Sequence, residues 1–527
     1  MAEALRERRV VVVGAGIGGL VSALLLARQG VQVTLIDSAA GPGGKMRQQQ
    51  VDGAVMDAGP TVFTLRWVFE QILEQAGHSM ADLPALTPLP LLARHAWRDH
   101  DKTLDLFADA RRSADAIGTF AGPDEARRFV NFCAEARKVY RTLEGPYMRA
   151  GKPSVPGMIG SLGPRGLATL TGLGPFNTLW RYLGRHFHDA RLRQLFARYA
   201  TYCGASPWQA PATLMLVAQV EMDGVWAVEG GMHAVAQSFA RLAALRGATL
   251  RYGAACEQIL LDKAGHVRGV KLAGGEELPA DALVFNGSPQ ALVDGLLGEA
   301  VQHAVPSMPV KRRSLSAVTW AISTPTAGFD LERHNVFFDH DYRSEFEDIF
   351  RHRRLPGAGT VYVCAQDRGT AQPVRTGAAE RLLCLVNAPA DGDTRPFDSQ
   401  ETDPCELRSL SLLQACGLKL QPTPAQMQRT TPAHFNRLFP ASGGALYGPA
   451  THGWMALFQR PSSNCRVPGL FLAGGGVHPG PGVPMAALSG QLAAAALMAH
   501  LASTSRWRPV VTSGGTSTRS ATTAAMP

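Results

Sequence analysis

The chain has 527 residues, 46% of them hydrophobic, and this length exceeds one ordinary core and predicts two or more domains. The net charge of +9 fits either a basic soluble protein or attraction to an anionic membrane surface, whereas nucleic acid is disfavoured because no zinc spacing, RNA-binding signature or long basic helix occurs. The eight scattered cysteines form no C-x-x-C pair, which predicts a reduced cytoplasmic protein without a structural metal or disulfide framework.

The first predicted element is a buried strand, Val10–Val13, followed by a glycine turn, an apolar helix to Ala27 and a second strand, Val31–Ile36. Here the backbone of Gly14-Ala15-Gly16 and Gly18-Gly19 would lie beneath a ligand. Gly14 permits the tight turn, Gly16 lets a pyrophosphate approach the backbone, and Gly19 lets the helix pack closely. Free N–H groups and the helix dipole favour phosphate at the helix N-terminus. Asp37 stands where a carboxylate binds ribose, so the stretch predicts a dinucleotide site, FAD or NAD.

A second glycine-rich stretch follows, "GPGGKMRQQQVDGAVMDAGPTVFT". Gly43 and Gly44 offer backbone N–H groups, and Lys45 can neutralise a phosphate. The stretch Asp57–Thr61, which includes Gly59 and Pro60, predicts a rigid turn whose backbone could lie along a flat ring. Asp57 is expected to cap that turn.

The rest of the chain has two textures. Segments 1–74, 225–290 and 445–502 have the strand and helix patterns of one discontinuous α/β nucleotide-binding domain. Segment 75–224 is largely helical in pattern, with aromatic and basic residues, and 291–444 contains strand-like runs. These two segments predict an inserted α+β substrate domain that faces substrate or membrane. Residues 503–527 are rich in Ser, Thr, Gly and Ala and are predicted to be disordered.

The last motif is "GLFLAGGGVHPGPGVPMAALSG". It predicts a strand over Gly469–Ala473, a turn over Gly474–Gly476 and a helix from near Met485. NAD needs one backbone-exposing turn, whereas a cofactor with a ribityl chain and a tricyclic ring needs contacts from both ends of the chain, so the second turn favours FAD. The alanine-rich helix is broken by Gln491 and His500, which favours a buried helix over a membrane span.

Together, "GAGIGG", "GGKMR", "DAGPTVFT", "WAVEGGMHAVA" and "LAGGGVHPGPGVPMAALSG" resemble the FAD-dependent carotenoid desaturases of the phytoene dehydrogenase family, within the amine-oxidase-like flavoproteins. The longer strings "DAGPTVFTLRWVFE", "PLLARHAW", "LRQLFARYATYCGASP" and "THGWMALF" are similar to one branch, the bacterial 1-hydroxycarotenoid 3,4-desaturases, also called methoxyneurosporene dehydrogenases. The resemblance covers nearly the whole chain except the tail. It implies a Rossmann-like FAD-binding domain.

The resemblance also implies roles for individual residues. The first glycine turn would face the pyrophosphate, Asp37 the adenosine ribose, and the backbone of Cys256 the adenine. Gly44 and Lys45 would lie near the phosphates and Gly59, Pro60 and Thr61 near the ring. The residues that would close over the flavin and ribityl chain are Gly474, Gly475, Val483, Pro484 and Met485. Gly475 stands where many flavoproteins carry an acid, which leaves that ribityl contact to backbone groups.

The implied reaction removes a hydride beside a polyene and a proton from the neighbouring carbon, and the delocalised cation reduces the need for a strong acid/base constellation. His478, inside the last turn, is the candidate proton acceptor, with a structural or flavin-orienting role favoured over it. A polar end group bound at the end of an apolar tunnel would fix the register of a sliding polyene. The implied partners are an acyclic carotenoid, a membrane surface for peripheral association, and oxygen or a quinone as electron acceptor.

Three alternatives stay open. A general phytoene or neurosporene desaturase would share every glycine motif. An amine-oxidase-like flavoenzyme usually has a cysteine or an aromatic pair near the C-terminal turn, and "GGGVHPGPGVP" has neither. A non-redox prenyl-binding escort protein on the same fold would not need flavin.

Overall fold

The computed structural model describes residues 6–98, 100–174, 176–370 and 377–505. In chain order its strands are β1 (Arg9–Val13), β2 (Gln32–Ile36), β3 (Gln48–Val51), β4 (Ala54–Asp57), β5 (Leu86–Pro88), β6 (Leu91–Trp97), β7 (Leu104–Phe107), β8 (Trp226–Val228), β9 (Thr249–Arg251), β10 (Cys256–Leu261), β11 (Val267–Leu272), β12 (Glu277–Pro279), β13 (Ala282–Phe285), β14 (Ser316–Thr324), β15 (His334–Phe338), β16 (Val361–Ala365), β17 (Glu380–Ala388), β18 (Met427–Thr430) and β19 (Leu470–Leu472).

The α-helices of the described residues are α1 (Ile17–Arg28), α2 (Arg66–Ala76), α3 (Ala110–Ala121), α4 (Pro123–Leu143), α5 (Val155–Leu173), α6 (Leu179–His186), α7 (Ala190–Ala197), α8 (Leu216–Met222), α9 (Met232–Leu245), α10 (Pro289–Val293), α11 (Tyr342–Glu347), α12 (Ser399–Ala415), α13 (Pro432–Leu438) and α14 (Val483–Ser505). Short 3-10 and π-helical turns join some of them.

A five-stranded parallel sheet forms the nucleotide-binding part, in the order β19-β13-β1-β2-β9. Its central strand is apolar because it is covered on both faces, with Val10, Val11 and Val12 buried. The chain runs from β1 to β2 on one side, whereas β13 pairs with β1 on the other. Parallel sheets bind ligands at such a switch point, outside the carboxyl ends of the strands. The predicted α/β class is confirmed, and the five strands come from segments 1–74, 225–290 and 445–502, whose boundaries stay a prediction.

Helix α14 packs against α1 in the core of this part. The approach is close because a Cβ on Gly490 would lie 2.2 Å from the carbonyl oxygen of Gly18. The Ser22 hydroxyl also donates to the Gly490 carbonyl at 2.9 Å. Residues 483–503 are long and apolar enough to cross a bilayer by composition alone, but half of their most apolar window is buried inside the protein. The helix runs to Ser505, past the start of the predicted tail, and the remainder of that tail lies outside the described residues.

A seven-stranded sheet forms the second part, in the order β18-β14-β17-β16-β15-β6-β7. It is antiparallel except where β6 and β15 pair in parallel. The strand-like runs of segment 291–444 correspond to β14, β16 and β17. Strands β6 and β7 come instead from segment 75–224, where the sequence predicts mostly helix. Short apolar runs such as "PLLARHAW" fit strand and buried helix equally well, and pairing with β15 decides the outcome here.

Candidate functional site

The first and last glycine turns meet at the carboxyl ends of β1, β13 and β19. Asn286, directly after β13, lies between them: its Nδ2 donates to the Gly14 carbonyl at 3.2 Å. A Cβ on Gly18 would lie 2.6 Å from Asn286 Oδ1 and 2.9 Å from the amide nitrogen of Gly474. Gly14 has a φ of +104°, which an L-residue rarely adopts. The two turns therefore form one continuous backbone surface, although more than 400 residues separate them in the chain.

The N-terminus of α1 opens onto this surface. Its N-cap is Gly16, and no side chain caps the free N–H groups. Gly43 lies beside it, donating its N–H to the Ala15 carbonyl at 2.9 Å. A Cβ on Gly44 would lie 3.1 Å from the Cα of Gly16. The structure thus brings the first two predicted glycine motifs together around an uncapped helix N-terminus, an arrangement suited to phosphate.

Two enclosed cations border these turns. Lys45 donates through Nζ to the Leu446 carbonyl at 2.6 Å, and burial together with the charge of Arg460 lowers the pKa of Lys45 to about 8. Arg460 is buried and donates to the carbonyls of Tyr447 and Gly475 at 3.0 and 3.2 Å. Among the described residues, neither cation has a carboxylate within ion-pair distance. A bound anion would balance this charge, because uncompensated buried charge is unfavourable.

At the other end of the first turn, Asp37 is held by backbone groups. Its two carboxylate oxygens accept from the amides of Ala15 and Ala39 at 2.6 and 2.7 Å. The carbonyl of Asp37 accepts from the amide of Ala254 at 2.8 Å, which brings the segment leading to Cys256 alongside. Cys256 itself begins β10 and is half-buried. The residues expected to meet ribose and adenine therefore share one edge of the site.

The predicted ring-facing turn packs directly against Lys45. A Cβ on Gly59 would lie 1.8 Å from the Lys45 carbonyl oxygen, so only glycine fits here. Thr61 is buried, and its hydroxyl lies 2.7 Å from the hydroxyl of Tyr362 on β16. Pro60 lies between Gly59 and Thr61 in the sequence.

Asp57 has a different partner from the expected one. Instead of capping its own turn, its carboxylate accepts from the amides of Met232 and His233 at 2.5 and 3.3 Å, at the N-terminus of α9. Burial raises the pKa of Asp57, and these hydrogen bonds oppose the shift. The residue couples the turn to a helix 175 positions away, which no local pattern reveals.

The last glycine turn leads into α14. The amide of Gly474 donates to the Ser489 hydroxyl at 2.7 Å, which orients the turn over the first residues of the helix, Val483, Pro484 and Met485. A Cβ on Gly475 would have one neighbour within 4 Å, at 3.9 Å, so this residue faces open space. That opening lies beside the Gly18 end of the first turn, where the resemblance places flavin and ribityl contacts.

His478 lies in this turn but is directed elsewhere. It is 1% exposed, and its Nε2 lies 2.8 Å from the Ala150 carbonyl oxygen. Its ring stands edge-on to Tyr147, and Nδ1 has no partner among the described residues. Burial lowers the pKa of His478 to about 4, which keeps the imidazole neutral and makes it a weak proton acceptor near pH 7. This geometry favours the structural role over the catalytic one.

These residues fit a flavin dinucleotide. The glycine surface admits a long ligand, the uncapped helix N-terminus and the two enclosed cations suit an anion, and the space at Gly475 is open. Lys45 and the first two motifs would hold the pyrophosphate, Asp37 the ribose, and the turns at Gly59 and Gly475 the ring and ribityl chain.

Three residues of the site, Asn286, Arg460 and Tyr362, were not predicted from the sequence. Asn286 follows a recognisable strand, and its position after β13 was the available signal. Arg460 and Tyr362 stand in segments without a motif, and only long-range contacts bring them to the site.

The chain is similar to known proteins over nearly its whole length. The family model described as flavin containing amine oxidoreductase matches residues 17–498. The chain is 65% identical over 526 residues to a protein named hydroxyneurosporene desaturase from Rubrivivax gelatinosus, covering all of both chains. It is 46% identical over 500 residues to one of the same name from Cereibacter sphaeroides, covering 94% of this chain and 99% of the relative. A structure of putrescine oxidase bound to putrescine shares the fold, with a TM-score of 0.57 at 14% identity, over 93% of this chain and 99% of the other.

Proposed function

The chain belongs to the flavin containing amine oxidoreductase family, and on that premise we propose that it desaturates an acyclic carotenoid bearing a 1-hydroxy or 1-methoxy end group, at the 3,4 position. It is an FAD-dependent oxidoreductase of the carotenoid desaturase class, acting in carotenoid biosynthesis. The observation that supports a flavin most directly is the meeting of two distant glycine turns beside two enclosed, uncompensated cations.

The reaction does not require a strongly acidic or basic side chain. FAD, when bound, accepts a hydride from the carbon that adjoins the polyene. The protein would hold the polyene against the ring-facing turn, and the proton lost from the neighbouring carbon would pass to solvent water. Because the polyene delocalises positive charge, a weak proton acceptor suffices. The neutral and inward-directed His478 suits a role in shaping the last turn.

The substrate is tested by product analysis. Purified protein is given 1-hydroxyneurosporene, neurosporene and phytoene separately, and we expect efficient conversion of the first and little of the others. Equal or better conversion of phytoene would assign the chain to the general phytoene desaturases and leave the cofactor unaffected. A colourless protein without the flavin absorption band at about 450 nm would instead favour the escort alternative.

The electron acceptor is proposed to be oxygen or a quinone. An anaerobic assay with and without a soluble quinone separates them, because only a quinone would sustain turnover when oxygen is removed. Failure of both acceptors would contradict this part of the proposal.

The membrane is proposed to bind at α5 as the carotenoid's lipid source. This helix has no acidic residue, and Ile159 and Leu167 are 48% and 40% exposed, with Phe176 beyond its end 79% exposed. Beside it, a groove of about 490 Å³ is lined by Arg137, Lys138, Arg141 and Arg165, and the carboxylate of Asp223 near Arg137 and Arg141 offsets part of the charge. Exposed apolar side chains flanked by cations fit the interface of an anionic bilayer. This arrangement supports our proposal of peripheral attachment at the cytoplasmic surface.

A further inference from the structure

A chain of hydrogen bonds links the ring-facing turn to the seven-stranded sheet. The hydroxyl of Tyr362, on β16, lies 2.7 Å from Thr61 Oγ1 and 2.7 Å from Nδ1 of His334, on the neighbouring strand β15. The rings of Tyr362 and His334 are stacked, with centroids 6.1 Å apart. Because Thr61 ends the turn proposed to lie along the flavin ring, the Tyr362 hydroxyl lies close to where substrate and ring would meet.

The hydrogen-bonded residues Thr61, Tyr362 and His334 can form further hydrogen bonds. His334 is 4% exposed, and its Nε2 has no partner among the described residues. Burial lowers the pKa of His334 to about 3, so the imidazole is neutral, and burial holds the pKa of Tyr362 well above its usual range, so the phenol keeps its proton. A phenol has one donor and two acceptor positions, and a threonine hydroxyl has the same. The Tyr362 hydroxyl has two hydrogen-bond partners, Thr61 and His334, so it can accommodate one more oxygen.

Tyr362 also keeps some accessible surface. It is half-buried although it is surrounded by protein and the strand residues before and after it are buried. Arg198, Tyr202 and Tyr447 share this combination of enclosure and remaining accessible surface. Aromatic side chains with remaining accessible surface suit contact with an apolar substrate.

The substrate's chemistry places its oxygen near the ring. A tertiary oxygen on C1 is separated from C3 by a single methylene carbon, and C3 belongs to the bond that is desaturated. The group that recognises the oxygen must therefore lie beside the reacting bond, rather than at the far end of a tunnel as the sequence alone suggests. Of the described residues, Thr61 and Tyr362 combine hydroxyl groups with contact to the ring-facing turn.

We propose that Tyr362, with Thr61, forms a binding site for the C1 oxygen of the end group and so determines which bond meets the flavin. The site rests on the proposed function. The Tyr362 hydroxyl donates to the oxygen, which serves a hydroxyl and a methoxy group alike, and His334 holds the phenol in place. A carotenoid without the oxygen forms no hydrogen bond with Tyr362 and is discriminated against for that reason.

The test compares two tyrosine-to-phenylalanine variants of the full-length holoenzyme. Tyr362→Phe removes the proposed ligand, whereas Tyr342→Phe removes a buried hydroxyl that has no partner among the described residues. For each, kcat and KM are measured with 1-hydroxyneurosporene and with neurosporene. We expect Tyr362→Phe to lower the ratio of the two kcat/KM values about ten- to a hundredfold. Most of the change should fall on the hydroxylated substrate, and Tyr342→Phe should keep the wild-type ratio.

The outcomes separate the site from the function. If the wild type prefers 1-hydroxyneurosporene and Tyr362→Phe keeps that preference, or slows both substrates equally with full flavin content, the end-group site is wrong and the function stands. If the wild type has no preference, the proposed function fails and the site with it. If Tyr362→Phe loses flavin, Thr61→Val is measured in its place: a lowered ratio supports the site and an unchanged ratio contradicts it.

Discussion

At the scale of single residues, Gly16 is the position where a side chain would be most disruptive to the cofactor. A Cβ there would lie 2.9 Å from Asn286 Nδ2, and the branches of a valine would extend over the uncapped N-terminus of α1. We expect Gly16→Val to purify colourless and inactive. Gly172→Val is the control, because a Cβ at that exposed residue has no neighbour within 4 Å. Full flavin content in Gly16→Val, measured by absorbance, would overturn the phosphate's placement.

Lys45 makes a second prediction at this scale. Its ammonium is enclosed and has no carboxylate partner in the part of the chain that the structure describes, so the charge is available to an anionic ligand. Replacing it in Lys45→Met removes a charge-assisted interaction, and such interactions contribute about 1.5–3 kcal/mol. We expect the Kd for FAD, measured by fluorescence titration of the apoprotein, to rise about ten- to a hundredfold.

The matched control is Lys311→Met, at an exposed lysine in a surface cluster. Its Kd for FAD should equal that of the wild type. An unchanged Kd in Lys45→Met would show that Lys45 does not meet the phosphates, leaving Arg460 as the enclosed cation to test.

At the scale of elements, sequence patterns predicted those features that have a local physical cause. The strand, turn and helix from Val10 to Ala27 follow from glycine conformation and apolar periodicity, and β1 and α1 confirm them. Strand β6 was missed because its partner β15 stands more than 200 residues away, and β7 pairs in turn with β6. Asp57 was assigned to its own turn for the same reason, since its true partners are the amides that begin α9.

The same distinction between local patterns and long-range contacts applies to the residues of the site. Backbone contacts to a phosphate leave a glycine pattern that can be read directly, so the three glycine motifs were found and the structure brings them together. The contact of Thr61 with Tyr362 joins residues 301 positions apart and leaves no periodic trace. Recognition of the end group therefore could not be placed from the sequence, although the resemblance implied that it exists.

Helix α5 is the element that should carry membrane binding. Ile159→Glu and Leu167→Glu put charge on its exposed apolar surface, and transfer of a charged side chain into the apolar interface is unfavourable. We expect the double variant to lose most of its binding to vesicles containing anionic phosphatidylglycerol, measured by co-sedimentation. Leu407→Glu, at a leucine that is 68% exposed on α12, should bind as the wild type does.

High salt provides an independent test of membrane binding at α5. Salt screens the attraction between the cations around the groove and an anionic membrane. Raising the ionic strength should therefore release part of the bound protein. Release by detergent alone, with no salt effect, would show that apolar insertion dominates and that the charge of these residues is immaterial.

At the scale of the whole molecule, the buried histidines make stability depend on pH. His95, His334 and His478 are 2%, 4% and 1% exposed, and burial lowers their pKa values to about 3, 3 and 4. In the unfolded chain each would titrate near pH 6.5. Below that pH these histidines are protonated in the unfolded state but stay neutral in the folded state. The free energy of unfolding therefore falls as pH falls.

The window and its size follow from these values. Stability should be constant with respect to these groups above about pH 6.5 and decline down to about pH 4, by about 1.4 kcal/mol per pH unit for each histidine. Buried Glu345 works in the opposite direction, because burial raises its pKa, so the folded state takes up its proton first. Melting temperature measured from pH 8 to pH 4 should therefore drop below about pH 6.5. His95→Gln, whose imidazole contacts the Leu104 carbonyl within the seven-stranded sheet, should melt lower overall but with a shallower decline. A melting temperature independent of pH across this range would mean that the three imidazoles are hydrated in solution and that the interior they line is open to water.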